Sequence, residues 1–474
     1  GLVSNPPWLA MSALADNPYR AVLKQRANLY GITPSGSSFL HLELGTTHLL
    51  HAVDRYLQPG AAVACLLPGT LLNGMHHQQF RQRAYLTADR PVSFLLNEVW
   101  QIAPGTFKYP SVALIGEKAA TPAAADCHVQ TGAVASSEGV EDADLSVREL
   151  SDMRTAWLLE KGGKPAIAQG GQQSAKQGAD LMPRRAVCIE IRNNAGSEYR
   201  VDTPAAGDQW EFTIKQAKEL KEESFPGLAA PDFIYDMAQS ENLLPFTLGG
   251  HRAPIALPAM RNAQGQWQFY NPAEVRRMGF RHTAKRFADI NGKLAGMPLE
   301  ERIDYRLKLS NQVLEDGKYL VLSGAGGKYI CAACIPTADA ERLVIDQTLY
   351  WLQVASEDEA WFRTGILNSN ALTEAILPFN PEGDFGPRHI HTLPYQLMPA
   401  YDQTNSLMSS ISRAAQKVAA KAVTCVAQDD YINDASRSLS HRRRKLREHL
   451  IKKAEYQELD QLCAVLLGVD SVKG

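Results

Sequence analysis

No stretch of the chain approaches the about 18 consecutive apolar residues that a bilayer-spanning helix needs, so no membrane association is expected. Cysteine is scarce and odd in number. The seven thiols, at Cys65, Cys127, Cys188, Cys331, Cys334, Cys425 and Cys463, are scattered, which does not read as a disulfide framework and points to the cytoplasm. An excess of charge is lacking too, since 49 Lys and Arg stand against 51 Asp and Glu for a net charge of -2. Such a balance neither implies nor excludes nucleic acid, because phosphate binding depends on local basic patches rather than on the sum. No secretory or transit-type segment opens the chain. It starts at Gly1 rather than Met, and we expect its natural beginning to lie upstream.

What is present is enough for a globular protein. A hydrophobic content of 45% with 21% charged residues supplies a core, and 474 residues exceed what one ordinary core holds, so two to four domains are expected. Apolar residues at helical spacing over 41–56 (Leu42, Leu49, Val53, Tyr56) predict a helix stopped by Gln58-Pro59-Gly60. The continuous apolar run from Ala61 to Pro68 predicts a buried strand, with further strands over 92–99 and 112–115. A turn-rich loop between those last two carries Phe107 and Tyr109. From 119 to 182 the composition shifts to Ala, Gly, Gln and Ser with an acidic patch, which reads as a connector or insertion containing one short docked element at Trp157. Strand-like runs over 186–191, 254–258, 319–322 and 327–335 alternate with helical stretches over 273–294 and 358–376, as in a mixed α+β domain. Beyond about 403 the pattern is helical.

The segment Asn5-Pro6-Pro7-Trp8 carries the clearest chemistry. Two prolines fix φ and remove two donors, and Asn5, preceding a proline, is pushed into an extended conformation. Its side-chain oxygen and the Pro6 carbonyl can then accept from one exocyclic amino group, with Trp8 beside them as a stacking face. A Pro-rich turn with a buried Trp is the competing reading of the same four residues.

Two basic stretches invite a phosphate reading. The run 274–287 holds Arg276, Arg277, Arg281, Lys285 and Arg286 with Phe280 and Phe287 interleaved, either a surface tracking a nucleic-acid backbone or a solvated helix face with its Phe residues in the core. The run 441–453 pairs its charges with Leu446 and Leu450 at i, i+4, and here a charged outer helix face is the preferred reading. Cys331-x-x-Cys334 has no second pair nearby, and His389-x-His391 has no third ligand, so no metal site is expected.

Taken in order, these features resemble the γ-type DNA adenine-N6 methyltransferases of restriction-modification and phage-defence systems. Asn5-Pro6-Pro7-Trp8 is similar to that family's (Asp/Asn)-Pro-Pro-aromatic motif, and Tyr56 to Pro68 to the Pro-Gly turn and apolar strand that follow it. The Phe107/Tyr109 loop resembles a later motif whose aromatic stacks on the extruded base. Glu359-Ala360 through Leu367-Asn368-Ser369, and then Gly386-Pro387-Arg388, look like stretches of the family's target-recognition regions.

The resemblance implies the C-terminal half of a Rossmann-like class I methyltransferase sheet over 1–118, a connector over 119–182, a mixed α+β target-recognition domain over 183–402 and C-terminal helices over 403–474. It implies transfer of a methyl group from S-adenosylmethionine to N6 of a flipped adenine in double-stranded DNA. Asn5, Pro6, Pro7 and Trp8 would be catalytic, Trp8, Phe107 and Tyr109 would stack on the base, and Arg276, Arg277, Arg281, Lys285, Arg286 and Arg388 would contact DNA. A glycine-rich cofactor motif is expected upstream of the catalytic loop and is not found there; Ser323-Gly324-Ala325-Gly326-Gly327 is the only comparable stretch, and it runs on into a strand-like sequence. The chain is therefore expected to be inactive by itself. The alternative is a catalytically incomplete recognition subunit working with other defence-system subunits, and cytosine N4 or a protein glutamine remain open as acceptors.

Overall fold

The computed structural model describes the chain except for residues 15–16, 35–38, 40, 104, 127–130, 152–153, 161–174, 205–219, 221–222, 250–251, 325–328, 380–392 and 470–474. The chain divides into two compact units, Gly1–Ile167 with Glu374–Ile390, and Ala168–Thr373 with His391–Gly474. Both mix helices and strands.

The first unit is built on a seven-stranded mixed sheet in the order β1-β2-β4-β3-β5-β6-β7. Its strands are β1 (Leu2–Ser4), β2 (Ala62–Pro68), β3 (Phe94–Ile102), β4 (Ser111–Lys118), β5 (Thr131–Ser136), β6 (Gly139–Ser151) and β7 (Arg154–Glu160). β1 and β2 run parallel, with Leu2 opposite Val63 and Ser4 opposite Cys65. Parallel neighbours need a crossover, and helices α1 (Tyr19–Leu29) and α2 (Leu44–Tyr56) lie within it. β4 runs antiparallel to both β2 and β3, and β3 pairs parallel with β5.

Sequence pattern explains most of this. The apolar run of β2 buries Val63, Cys65 and Leu67, while α2 turns Leu49, Leu50 and Val53 into the same core. Each such side chain contributes roughly 1.5–3 kcal/mol by leaving water. α2 is further held near its C-terminal end by Asp54, which accepts from Arg90 Nε at 2.6 Å and from the Tyr30 hydroxyl at 3.0 Å. Burial pushes the Asp54 carboxyl up, but those two hydrogen bonds and the Arg90 charge outweigh it and hold the group below its ordinary value.

Residues 131–160 depart from expectation. Their small-residue composition reads as a connector, yet they form three strands that extend the main sheet, with Trp157 of β7 buried at 5% exposure. Backbone pairing does not require large apolar side chains, and Gly132 and Ala133 meet strands on both sides.

In the second unit the expected strand over 186–191 is divided between a short helix, Arg184–Val187, and a strand beginning at Glu190. An antiparallel sheet joins Ala332–Pro336, Tyr319–Gly324, Leu349–Val354 and Lys176–Gln177. The helix Glu357–Asn368 is capped by Ser356, whose hydroxyl accepts from the Glu359 amide. Its last residue, Asn368, is fully buried and bonds Ala332 in both directions, accepting from its amide at 3.1 Å and donating to its carbonyl at 2.8 Å. The C-terminal region is helical as expected, over Ser406–Gln428, Asp430–Asn433, Leu439–Leu450 and Ala454–Leu467. No helix among the described residues is long and apolar enough to cross a membrane.

Candidate functional site

Asn5 follows directly on the carboxyl end of β1, so Asn5–Trp8 stands at the edge of the sheet where the parallel strands β1 and β2 both terminate. The pairing of Pro68 with Ser111 and of Ser111 with Ile102 brings the loop between β3 and β4 to that same edge. Gly69 then donates to the Pro110 carbonyl at 2.8 Å, joining the end of β2 to the loop. Ligands of open α/β sheets bind outside the carboxyl ends of parallel strands, and this is such an edge.

The four loop residues are held unequally. Pro6 is buried beside α2, whereas Asn5 and Pro7 are exposed. Trp8 is half-buried and its indole Nε1 donates to the Leu66 carbonyl of β2 at 3.3 Å. The segment beyond it is pinned by the Leu44 amide on the Leu9 carbonyl at 3.0 Å and the Met11 amide on the Leu42 carbonyl at 2.9 Å. Backbone on both sides of the loop is thus fixed, while no hydrogen bond engages the Asn5 side chain among the described residues. An exposed, unengaged amide on a fixed backbone is the arrangement that recognition of an external donor requires.

Phe107 and Tyr109 are 48% and 39% exposed, with Lys108 Nζ 5.1 Å from the centre of the Tyr109 ring. Large aromatics on a turn gain little from solvent and are available as stacking faces.

The basic run 274–287 forms two helices, Pro272–Arg277 and Arg281–Asn291. Arg276, Arg277, Arg281 and Lys285 are exposed, Arg277 lying 3.8 Å from Glu274. Arg286 is different. It is 2% exposed and donates to the carbonyls of Phe225 and Ala186 at 3.2 and 3.1 Å, so it braces the core and has no surface to offer a phosphate. Burial lowers its pKa to about 10. Its position three residues after Thr283 and four before Ile290, at helical periodicity, explains the difference: Thr283, Phe287 and Ile290 lie on the same buried face. The interleaved aromatics belong to that core as well, Phe287 being fully buried and Phe280 packing edge-on against Phe233 at 5.3 Å. Arg388 lies outside the described residues, as do His389 and His391.

The second basic run packs through Leu446 and Leu450 as the preferred reading expects, but it is not only a charged outer face, since Arg442 and Arg447 are buried. On the helix Leu439–Leu450, Arg442 donates to the Ile432 carbonyl, Arg443 to the carbonyls of Leu243 and Ser240, and Arg447 to Asn370. Cys331 lies just before the strand Ala332–Pro336 and Cys334 within it, and burial pushes their thiols up to about 11 and about 12, which suits packing and not metal or redox chemistry. Of the glycine-rich stretch, Ala325, Gly326 and Gly327 lie outside the described residues, while Ser323 and Gly324 end a strand paired antiparallel on both sides, and Gly324 donates to the Cys331 carbonyl at 2.9 Å. The next described element is the strand Ala332–Pro336, where a cofactor cradle needs a helix N-terminus.

The buried set Glu43, His76 and His77, close in the fold to the segment beyond Trp8, attracts no attention in the sequence; the adjacent histidines of Gly74-Met75-His76-His77 are its only signal.

The fold and the site edge define a mixed α/β protein with a loop poised at the carboxyl ends of parallel strands. No family model matches the chain, and no curated protein matches it in sequence. Among solved structures the fold is similar to that of the type IIL restriction-modification enzyme MmeI in complex with DNA, with a TM-score of 0.54 at 13% identity over 99% of this chain and 55% of that one. It is also similar to the DrdV–DNA complex (TM-score 0.40, 10% identity, 88% of this chain and 43% of that one). A nuclease-deletion mutant of the type ISP restriction-modification enzyme LlaGI with a DNA substrate mimic matches at a TM-score of 0.39 and 11% identity, over 88% of this chain and 41% of that one. The chain spans about half the length of MmeI.

Proposed function

We propose that this protein acts in DNA restriction-modification, and that its first unit holds a flipped adenine for N6 methylation with S-adenosylmethionine as the methyl source. The observation that carries the reading is the position of Asn5: a fixed backbone, an unengaged amide and a place at the carboxyl edge of β1 and β2. The likeness in fold to a DNA-bound restriction-modification enzyme supports it.

An exocyclic amine is a poor nucleophile because its lone pair is delocalised into the ring. With both amino hydrogens accepted by Asn5 Oδ1 and the Pro6 carbonyl, the nitrogen is drawn toward a tetrahedral arrangement and its lone pair is freed for attack. This is catalysis by positioning and fixed dipoles. Trp8 and either Phe107 or Tyr109 hold the base by stacking, at about 1–3 kcal/mol per aromatic. No residue described in this chain is assigned to hold the methyl donor. Arg276, Arg277, Arg281 and Lys285 contact DNA phosphates.

Sequencing of modified bases in DNA from cells expressing the intact gene tests the reading. Adenine methylation at a defined site is expected, and Asn5→Ala abolishes it while leaving DNA binding within a few-fold; a fully active Asn5→Ala protein refutes the assignment. That the next described element after Ser323-Gly324 is a strand, where a cofactor cradle needs a helix, favours a second reading, a recognition subunit without its own methyl transfer. That reading predicts site-specific DNA binding with no modified base of any kind.

A further inference from the structure

We propose that Glu43, His76 and His77 form a binding site for one divalent transition-metal ion, zinc foremost, which fastens the segment following the Asn5–Trp8 loop to the turn that follows β2. The inference rests on side-chain geometry alone and stands whatever chemistry the Asn5 loop performs.

The three residues come from separate parts of the unit. Glu43 is the residue that leads into α2, and its backbone forms a bridge with Ala10, two residues beyond Trp8. His76 and His77 occupy the single turn Met75–His77, which follows β2 through Gly69–Leu72. Their ligand atoms all lie within 4.8 Å of one another. His77 Nε2 is 3.2 Å from one Glu43 carboxylate oxygen and His76 Nε2 is 3.7 Å from the other. Metal–ligand bonds of about 2.0–2.1 Å in a tetrahedral set place ligand atoms about 3.3 Å apart; His77 already stands at that spacing from one carboxylate oxygen, where it now makes a hydrogen bond, and the rest of the set needs only a small closing to share an ion.

Burial makes the cluster hard to explain as a surface network. Glu43, His76 and His77 are 7%, 8% and 1% exposed. His76 Nε2 faces the carboxylate but is too distant for a hydrogen bond, and it has no other partner among the described residues. A buried imidazole nitrogen left in this state costs free energy, and a cation between it and the carboxylate would remove that cost.

The surroundings are those of a built site. The Thr70 hydroxyl lies 3.0 and 2.9 Å from the two Glu43 oxygens and fixes the carboxylate plane, as outer partners of metal ligands do. Gly74 lets the His76 ring approach: a Cβ there would stand 2.9 Å from His76 Cε1 and 2.7 Å from the Thr70 carbonyl oxygen. Arg81 secures the same turn by donating to the Leu71 and Gly74 carbonyls at 2.9 and 2.8 Å. Two imidazoles and one carboxylate suit zinc or iron(II) better than the oxygen-seeking magnesium or calcium. His77 Nδ1 has no acceptor among the described residues, and the want of that outer partner places the affinity about 10–100-fold below that of a fully supported site.

The test uses the whole chain, freed of any affinity tag, stripped with a chelator and titrated with zinc and with cobalt(II). We expect one zinc per chain retained through gel filtration, and a Tm higher by roughly 5 °C or more at free zinc about 100 times Kd. Cobalt is expected to give the visible absorption of a low-symmetry site without the thiolate charge-transfer band that Cys331 and Cys334 would produce. Glu43→Gln and His77→Gln, which keep the side-chain volume, lose at least tenfold in affinity; His76→Gln does the same. Wild-type protein that retains no zinc and shows no cobalt spectrum overturns the proposal, as does equal binding by all three variants.

Discussion

Gly45→Ala is a stringent check on how α2, β2 and the Asn5 loop are packed. A Cβ at Gly45 would lie 2.5 Å from Leu67 Cδ2, 3.5 Å from Pro6 Cγ and 4.0 Å from the Pro7 carbonyl oxygen. Ordinary carbon contacts are about 3.5–4.0 Å, so the first distance is an overlap of roughly 1 Å. Leu67 is 1% exposed and has no open space to turn into. Overpacking of this kind costs about 1–3 kcal/mol, against a gain of up to about 1 kcal/mol for Ala over Gly in a helix. The net expectation is a loss of about 1 kcal/mol, read as a fall of roughly 2–4 °C in Tm for a unit of this size. Leu67→Val removes the offending methyl at a cost of about 1 kcal/mol of its own. If the clash is the cause, the double variant is less destabilised than the sum of the two single ones by about 1 kcal/mol. Chemical denaturation of the four proteins measures the cycle. Additive effects, or a Gly45→Ala protein stabilised by its helix propensity, would show that Leu67 of β2 is not packed against α2 as described.

Two further outcomes follow from charges. Replacing Arg276, Arg277, Arg281 and Lys285 by Ala should each reduce the log–log salt dependence of DNA binding by about 1, measured by anisotropy, with little change in Tm. Arg286→Ala should instead lower stability by about 2–4 kcal/mol through loss of two charge-assisted hydrogen bonds in the core; a quadruple surface variant with an unchanged salt slope would refute the phosphate assignment. Asp54 has its folded pKa below the ordinary value, so its contribution is present above the unfolded value of about 3.9 and is lost as pH falls through the folded one. Asp54→Asn should therefore be less stable than wild type at pH 6, with the difference shrinking as the pH drops below about 4, and a constant difference in Tm across that range would exclude the linkage.

Long periodic or continuous apolar segments were legible without the structure. The helix over 44–56 and the strand over 62–68 are decided by their own patterns, because each buries a face whose spacing fixes its conformation. Residues 131–160 were not legible: strands made of small and acidic residues carry no such signature, and they join the sheet because β5 pairs with the distant β3, Glu98 opposite Thr131, with β6 and β7 following by local antiparallel pairing. Arg281 and Arg286 look alike in sequence, and only which face of their shared helix turns to the core with Phe287 and Ile290 separates an exposed charge from a buried brace.

The sequence by itself determined the local geometry on which the chemistry proposed for the Asn5–Trp8 loop rests, since proline sterics, an amide and an aromatic in four consecutive residues need no long-range information. Tertiary structure decided where that loop stands, at the carboxyl ends of two parallel strands, and which aromatics share its edge. It also decided the grouping of Glu43 with His76 and His77, 33 residues apart at the nearest. The physical reason is that local conformation follows from each residue's own sterics, whereas the meeting of distant side chains depends on how helices and strands pack, which no short stretch encodes.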